Sequence, residues 1–310
     1  MNIINHYRAT KKFTGSTKCA LASMLPDLFL RTNMHNTKDA EDRMFGISPV
    51  LGRAWRLHKD QDMRTHSYTY DWADKIPGDS VLLLSGGLDS FCQWRLLGMP
   101  KAIHFNIGNK ASQVELNKIH EISETFDKEI IEIDNLDLSK FEQPNGYIPY
   151  RNLFFIMLAS LYSPNIVMCQ VSEWAPDKNR QFYRRAEKFL YEIAHGKYQE
   201  INIKPKIYAP FASYTKTKLV REYIKKYPIE DLTKYTVSCY SGNRLPCGKC
   251  SACRTRHVAM INNDIEEEYE SIPDIKETKR KLSLHDFRLE NILMYVRRWN
   301  EYREFTKKPR

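Results

Sequence analysis

The stretch from Val81 to Leu97 constrains the fold of this chain more than any other part. Four apolar residues, Val81-Leu-Leu-Leu84, run directly into Ser85-Gly-Gly-Leu-Asp-Ser90 and then into a second segment rich in apolar residues. An apolar run, paired glycines and a further apolar segment predict a buried strand, a tight turn and a helix. Gly86 and Gly87 have no Cβ, so the backbone can bend sharply there and come close to a ligand.

A turn of this kind favours an anionic ligand with a bound cation. The unpaired N–H groups at the start of a helix attract an anion. Ser85 and Ser90 add hydroxyl groups, and Asp89 adds a carboxylate of the type that holds Mg²⁺. No Gly-Lys-Ser/Thr follows, so the Walker pattern is excluded. We predict a pyrophosphate site with its metal; the alternative is a structural turn whose glycines serve packing alone.

A second motif consists of four cysteines spaced Cys-x7-Cys-x2-Cys-x2-Cys, namely Cys239, Cys247, Cys250 and Cys253. Cysteine pairs two residues apart have the usual spacing of tetrahedral zinc ligands. Four thiolates close the coordination shell, which predicts a structural Zn²⁺ and not a catalytic one. The alternatives are ordinary buried cysteines or disulfides. Three basic side chains are expected to offset the thiolate charge: Lys249, Arg254 and Arg256.

Strand-like and helix-like segments alternate from residue 80 onward. The predicted strands are 81–84, 102–106, 129–133, 165–170 and 200–203, and the predicted helices are 91–98, 112–126, 151–162, 181–192 and 215–226. This alternation predicts an α/β fold, a Rossmann-like parallel sheet with helices on both faces, plus a small four-cysteine zinc module. Ligands of such sheets bind beyond the carboxyl ends of the strands.

Four regions are predicted along the chain. Residues 1–79 form an N-terminal extension to which no role is assigned, and residues 80–235 form the α/β domain that contains the Ser85–Ser90 loop. Residues 236–260 form the zinc-binding segment, and residues 261–310 form a basic, helical C-terminal region.

The composition of the chain indicates where the protein resides and which ligands it can bind. No apolar run approaches the ~20 residues of a membrane span, and no secretory signal is visible, so we expect a cytoplasmic protein without a membrane partner. Seven cysteines, four of them in a metal pattern, suit a reducing compartment. The net charge of +10 favours anionic substrates or nucleic acid, the alternative being a solvated basic surface.

The two motifs together resemble one family. Ser85-Gly-Gly-Leu-Asp-Ser90 resembles the PP-loop of N-type ATP pyrophosphatases. Cys239-Tyr-Ser-Gly and Cys247-Gly-Lys-Cys-Ser-Ala-Cys253-Arg-Thr-Arg256 resemble the zinc segment of the 7-cyano-7-deazaguanine synthases. Ile148-Pro-Tyr-Arg-Asn152 is similar to the family's Val-Pro-x-Arg-Asn, and the segment from Pro210 to Val220 is similar to its Pro-x5-Lys-helix segment. The resemblance covers residues 80 to 260 and implies the PP-loop (adenine nucleotide alpha-hydrolase) fold.

The resemblance also implies a reaction. ATP is split to AMP and pyrophosphate as a carboxylate becomes an acyl adenylate, and ammonia then displaces AMP to give an amide. The family activates the amide again and dehydrates it to a nitrile. The implied cofactors are ATP, Mg²⁺ and Zn²⁺, and the implied partners are a small-molecule carboxylate and ammonia. We also expect a homodimer.

Site residues are carried over by matching position. Asp89, Lys216 and Arg151 are the catalytic candidates, with Lys216 neutralising the departing pyrophosphate unless it is a surface lysine of its helix. Asp177 and Arg180 are the candidates for holding the acceptor. Asn152 has a nucleotide or acceptor role unless it only caps its helix. The nucleotide-binding candidates are Leu84, Ser85, Gly86, Gly87, Leu88, Asp89, Ser90, Phe91, Phe105 and Asn152.

Two segments depart from the family pattern. Ile107-Gly-Asn-Lys-Ala111 stands where the family has Tyr-Gly-Gln-Arg-His, and the segment from Glu173 to Phe182 replaces Asp-x-Ser-Gly-Tyr-Pro-Asp-Cys-Arg. We therefore expect an intact ATP half and an altered acceptor half. Three functions remain open: the nitrile-forming synthase, a PP-loop ligase that stops at an amide or uses another carboxylate, and a non-enzymatic zinc module that binds nucleic acid. The intact Ser-Gly-Gly-x-Asp-Ser motif argues against the third.

Overall fold

The computed structural model describes residues 76–143, 146–171, 177–194, 204–212, 214–243, 245–275, 298 and 300–307. The chain divides into two compact units, one of Asp71–Ile275 and one of Met1–Tyr70 with Lys276–Arg310. In the second unit, residues 300–307 are helical. Residues 1–75 of the predicted extension and residues 276–297 of the predicted C-terminal region lie outside the described residues.

A five-stranded parallel sheet organises the unit Asp71–Ile275. Its strands are β1 (Val81–Leu83), β2 (Ala102–Phe105), β3 (Ile130–Ile133), β4 (Asn165–Val167) and β5 (Lys206–Tyr208). They lie in the order β3-β2-β1-β4-β5, and each neighbouring pair is parallel. The predicted strand at 200–203 lies outside the described residues, and β5 follows a few residues later. The predicted α/β fold is confirmed.

The helices of this unit alternate with the strands. They are α1 (Leu88–Leu96), α2 (Ser112–Phe126), α3 (Arg151–Ala159), α4 (Arg180–Ala194), α5 (Lys216–Ile224), α6 (Glu230–Lys234) and α7 (Ser251–Ile261), with a 3-10 turn at Ser139–Phe141. Helix α1 begins three residues earlier than predicted, and α6 and α7 were not predicted. In the described part of the chain, no helix has both the length and the apolar character needed to cross a bilayer.

The sheet is covered on both faces because successive strand residues point to opposite sides. Leu82 joins one buried core with residues of α1, α2, α5 and α7. Val81 joins the other with residues of α3 and α4, among them Ile156 and Tyr183. Both faces of β1 are therefore buried, which explains its uninterrupted apolar run.

The candidate site lies where the strand order reverses. Strand β1 pairs with β2 on one side and with β4 on the other. The connections that leave the carboxyl ends of β1 and β4 turn to opposite sides, and this opens a crevice at the carboxyl edge. The segment 84–87 leaves β1 at this crevice.

Candidate active site and cysteine cluster

The glycine loop has the sharp backbone expected from its sequence. Gly86 adopts φ +71°, a left-handed conformation. A Cβ at this position would lie 3.1 Å from the carbonyl oxygen of Glu115 in α2, so a side chain would crowd the neighbouring helix. Helix α1 follows at once, and the Phe91 N–H donates to the Gly87 carbonyl over 3.0 Å.

Two serine hydroxyls hold the loop in place. The Oγ atoms of Ser85 and Ser90 lie 3.1 Å apart, and the Ser90 hydroxyl donates to the Gly87 carbonyl over 3.1 Å. The Gly87 N–H in turn donates to the Ser85 Oγ over 3.3 Å. These bonds preorganise the backbone N–H groups at the start of α1, where an anion binds most favourably.

The structure brings two of the predicted catalytic residues together. Asp89 lies in the first turn of α1, and Lys216 is the first residue of α5. The Lys216 Nζ donates to the Asp89 Oδ2 over 2.5 Å, and the two side chains are only 14% and 18% exposed. Thr215 sets the start of α5, because its side-chain oxygen accepts the Lys218 N–H over 3.1 Å. Lys216 is therefore mostly buried and paired with Asp89, and its role in neutralising pyrophosphate stays a prediction.

The second oxygen of Asp89 is available to a ligand. Within the described ranges, the Asp89 Oδ1 is buried and has no hydrogen-bond partner. A buried carboxylate oxygen without a partner is costly unless something charged or hydrogen-bonding reaches it. Carboxylate oxygen is also the donor that Mg²⁺ prefers. The residues present therefore fit the predicted cation.

Asn152 contacts one of the predicted acceptor residues. Its Nδ2 donates to the Asp177 Oδ2 over 2.8 Å and to the Asp177 carbonyl over 3.4 Å. Tyr150, and not Asn152, occupies the N-cap position of α3. The alternative that Asn152 only caps its helix is therefore wrong. Arg151 begins α3, and Arg180 begins α4.

Four of the predicted nucleotide-binding residues have side chains that pack in the cores. Leu84, Leu88 and Phe91 are at most 1% exposed. Phe105 ends β2, and its ring stacks on the Phe155 ring with centroids 4.5 Å apart. Any contact of these four residues with a nucleotide would therefore be made by the backbone.

Glu115 belongs to the same edge of the sheet but was not predicted. It lies in the first turn of α2, and its carbonyl contacts the glycine loop. Burial raises the pKa of its carboxyl to about 7, against an opposing effect of Arg151. The sequence feature that could have pointed to Glu115 is its position one turn after the altered 107–111 segment.

The four cysteines of the second motif form one cluster. Their Sγ atoms all lie within 4.8 Å of one another, and those of Cys247 and Cys253 are 4.0 Å apart. Tetrahedral zinc with Zn–S bonds of ~2.3 Å requires Sγ atoms about 3.8 Å apart, so the cluster fits this ion. Among the described residues all cysteines are free thiols, so the disulfide alternative is wrong.

Backbone N–H groups support the sulfur atoms. Cys239 accepts from the N–H groups of Ser241 and Cys247 over 3.4 and 3.3 Å. Cys250 is the N-cap residue of α7 and accepts the Cys253 N–H over 3.4 Å. Such bonds to ligand atoms orient a metal site and stabilise thiolates.

We expect Cys250→Ser to remove the metal and destabilise the fold together. Loss of one of four thiolates opens the shell, and metal binding is linked to folding. The free energy of unfolding should fall by about 3–5 kcal/mol, measured by urea unfolding beside metal analysis of the purified protein. Ser251→Ala, at an exposed position of α7 that supplies no thiol, is the control. A variant with normal stability and no metal would contradict a structural zinc.

The cysteine segment contacts the glycine loop directly. The Val237 N–H donates to the Gly86 carbonyl over 2.9 Å, two residues before Cys239. On the other side of Cys239, Gly242 adopts φ +72°, and a Cβ there would lie 2.1 Å from the Lys110 carbonyl oxygen. Only glycine allows this approach to the 107–111 segment.

Arg256 has a different role from the one expected. Its guanidinium donates to both Glu267 carboxylate oxygens over 2.6–2.9 Å, and the two side chains are 5% and 8% exposed. It also donates to the Thr236 hydroxyl over 2.8 Å and to the Leu232 carbonyl over 2.9 Å. Its charge is thus balanced by Glu267, and it fixes the segment leading to Cys239.

The parallel sheet, the Ser-Gly-Gly-x-Asp-Ser loop at its switch point and the cysteine cluster define an α/β protein of the PP-loop class. Comparison with protein families narrows this class. The family described as queuosine biosynthesis protein QueC matches residues 105–264, and the chain belongs to this family.

Relatives of known name agree with the family. A 7-cyano-7-deazaguanine synthase of Prochlorococcus marinus (strain MIT 9515) is 30% identical, and the match covers 61% of this chain and 96% of the relative. The synthase of strain AS9601 is 29% identical over 59% and 95%, and that of Chlorobium phaeobacteroides (strain BS1) is 26% identical over 63% and 98%. The prediction of an enzyme related to these synthases is confirmed.

Proposed function

We propose that this protein activates a carboxylate with ATP, releases pyrophosphate and AMP, and joins the carboxyl carbon to ammonia. The observation that carries the proposal is the Asp89–Lys216 pair beside the glycine loop, at the switch point of the sheet. A carboxylate oxygen of the kind that binds Mg²⁺, a lysine ammonium and the N–H groups at the start of α1 occur together here, which supports a pyrophosphate site.

Each part has a defined task in this proposal. The N–H groups of residues 86–90 and the hydroxyls of Ser85 and Ser90 hold the phosphates of ATP. The Asp89 Oδ1 would hold Mg²⁺, which, when bound, offsets the phosphate charge. Lys216 balances the charge that grows on the departing pyrophosphate. Phosphoryl transfer needs positioning and charge stabilisation more than a protein nucleophile, and these residues supply both.

The acceptor is proposed to be 7-carboxy-7-deazaguanine or a close relative, with the nitrile or the amide as product. The names of the related synthases support a deazaguanine. The Asn152–Asp177 pair supports an acceptor site near the start of α3, because its 2.8 Å bond holds the Asp177 carboxylate beside the buried Asn152 amide. Arg180, three residues after Asp177, is proposed to assist.

A ligase for a different carboxylate is the second candidate, and two altered segments favour it. The loop 107–111 departs from the family pattern, and so does the segment 173–182. A site built to hydrogen-bond one ligand strongly rejects another that leaves its buried groups unpaired. Changed lining residues would therefore change the acceptor.

Product analysis tests the proposal. The purified protein is incubated with ATP, Mg²⁺, ammonia and 7-carboxy-7-deazaguanine, and the products are identified by mass spectrometry. We expect AMP, pyrophosphate and a deazaguanine amide or nitrile. Release of ADP and phosphate would contradict the proposed chemistry. Failure of any deazapurine acid to stimulate ATP cleavage would favour the second candidate.

We expect Asp177→Ala to weaken acceptor binding selectively. Loss of a hydrogen-bonding carboxylate from the acceptor site should raise the acceptor KM about 10-fold and change the ATP KM less than about 2-fold. Arg180→Ala should act in the same direction. The control is Glu129→Ala, an exposed position before β3 and thus at the opposite edge of the sheet. Equal, small effects on both KM values would place Asp177 outside the site.

A further inference from the structure

The ion pair of Asp89 and Lys216 joins the first turns of two helices. Asp89 is in the first turn of α1, and Lys216 is the first residue of α5, whose N-cap is Thr215. The Lys216 Nζ lies 2.5 Å from the Asp89 Oδ2, and both side chains are mostly buried. Charges that are shielded from water to this degree act more strongly on other charges than those of an exposed pair.

The two helix starts add positive charge around this pair. The first N–H groups of a helix have no partner within it, and together with the helix dipole they carry a partial positive charge. The first turn of α5 contains no acidic residue to offset this charge. Lys216 is thus a cation at a helix end that disfavours cations, and its bond to Asp89 offsets the cost.

The Asp89 oxygen that fits a metal belongs to the same carboxylate that Lys216 occupies. Oδ2 accepts from the Lys216 ammonium, while Oδ1 is buried and, in the described part of the chain, has no partner. A divalent cation at Oδ1 would therefore share one negative charge with the ammonium. In a partly buried place the two cations would repel each other strongly, so a cation that arrives alone should bind weakly.

A polyphosphate removes this conflict. Its several negative charges suit the N–H groups at the starts of α1 and α5, and they offset the charge of the ammonium as well. The Lys216 ammonium is then no longer dependent on Asp89 for a counter-ion. The whole Asp89 carboxylate becomes available to a cation that the phosphates bring with them.

We propose that Lys216 excludes free divalent cations from Asp89 and admits them only together with a polyphosphate, an inference that rests on the proposed function. Without nucleotide, Lys216 is the counter-ion of Asp89. With nucleotide, Lys216 pairs with the phosphates and Asp89 takes the cation that accompanies them. Metal and nucleotide therefore bind cooperatively, and the coupling between them depends on the charge of Lys216.

Lys216→Met tests this inference, because methionine removes the charge and keeps much of the side-chain length. Two affinities of the full chain are measured without an acceptor, so that no reaction occurs. The first is for Mn²⁺ without nucleotide, by electron paramagnetic resonance, and we expect it to rise about 10²-fold as the repulsion disappears. The second is for ATP in buffer freed of divalent cations by a resin, by calorimetry, and we expect it to fall about 10-fold. A general structural defect would lower both.

Lys218→Met is the matched control, because Lys218 is an exposed lysine in the same turn of α5, with its ammonium 3.9 Å from the centre of the Tyr214 ring. It should change both affinities less than about 3-fold. The double variant Asp89→Asn/Lys216→Met should lose the gain in Mn²⁺ affinity, which assigns the gain to Asp89 and not to the cysteine cluster. Mn²⁺ should also raise the melting temperature of Lys216→Met but not that of the unaltered protein, since a ligand of the folded state stabilises it.

Three results would overturn the inference. They are an unchanged Mn²⁺ affinity in Lys216→Met, a loss of both affinities in this variant and in Lys216→Gln, and a gain in Mn²⁺ affinity that persists in the double variant. The proposed function would survive each of them, provided that the unaltered protein binds ATP and Mg²⁺ together. An unaltered protein that binds no ATP, with or without Mg²⁺, would overturn the proposed function itself, and this inference with it.

Discussion

Asp89→Ala is expected to lower the rate of AMP and pyrophosphate release by about 10³-fold or more while the fold is retained. The change removes both the oxygen that would hold Mg²⁺ and the partner of Lys216, which the structure places 2.5 Å away. The phosphates would then lose two sources of charge stabilisation at once. The measurement is pyrophosphate release under saturating ATP, with circular dichroism to verify the fold.

Asp79→Ala provides the control, because Asp79 precedes β1 and bonds Asn165 by its side chain. It should keep nearly full activity. Asp89→Asn should be nearly as inactive as Asp89→Ala, since an amide keeps the shape but not the charge. Substantial pyrophosphate release by either Asp89 variant would show that the loop does not bind the metal nucleotide as proposed.

Glu267→Gln is expected to lower the free energy of unfolding by about 3–5 kcal/mol, because it leaves Arg256 charged and buried without a counter-ion. The pair is 5% and 8% exposed, so water cannot replace the lost carboxylate. Urea unfolding measures the change, and exposed Glu268→Gln is the control.

The double variant Arg256→Met/Glu267→Leu sharpens this test. Replacing both charges of a buried pair by apolar groups usually costs far less than removing one. We expect the double variant to be more stable than Glu267→Gln alone. A Glu267→Gln variant within about 0.5 kcal/mol of the unaltered protein would show that the pair adds nothing to stability.

The elements that could be predicted from the sequence are those with a clear local pattern of residues. The apolar positions of α2 recur with helical spacing, and its observed bounds, Ser112–Phe126, are those predicted. The glycine loop was visible because its glycines and serines lie within six residues. Helix α7 was missed because its apolar periodicity is weak, and its N-cap is supplied by a cysteine of the cluster.

The contacts that could not be predicted from the sequence join residues that are far apart along the chain. Glu267 lies 11 residues after Arg256, and Asp177 lies 25 residues after Asn152. The backbone of Glu115 lies beside Gly86 only because β1 and β2 are neighbours in the sheet. None of these pairs has a fixed spacing, so only the folded chain shows which residues meet.

The bond between the Val237 N–H and the Gly86 carbonyl has a thermodynamic consequence. It joins the backbone that leads into the cysteine cluster to the backbone that would hold the phosphates, and Gly242 adds a second contact to the neighbouring loop. If metal loss loosens the loop and weakens ATP binding, reciprocity requires ATP to tighten metal retention by the same factor. Bound ATP would then slow the loss of the ion from the cluster, and the nucleotide-free protein would lose it fastest.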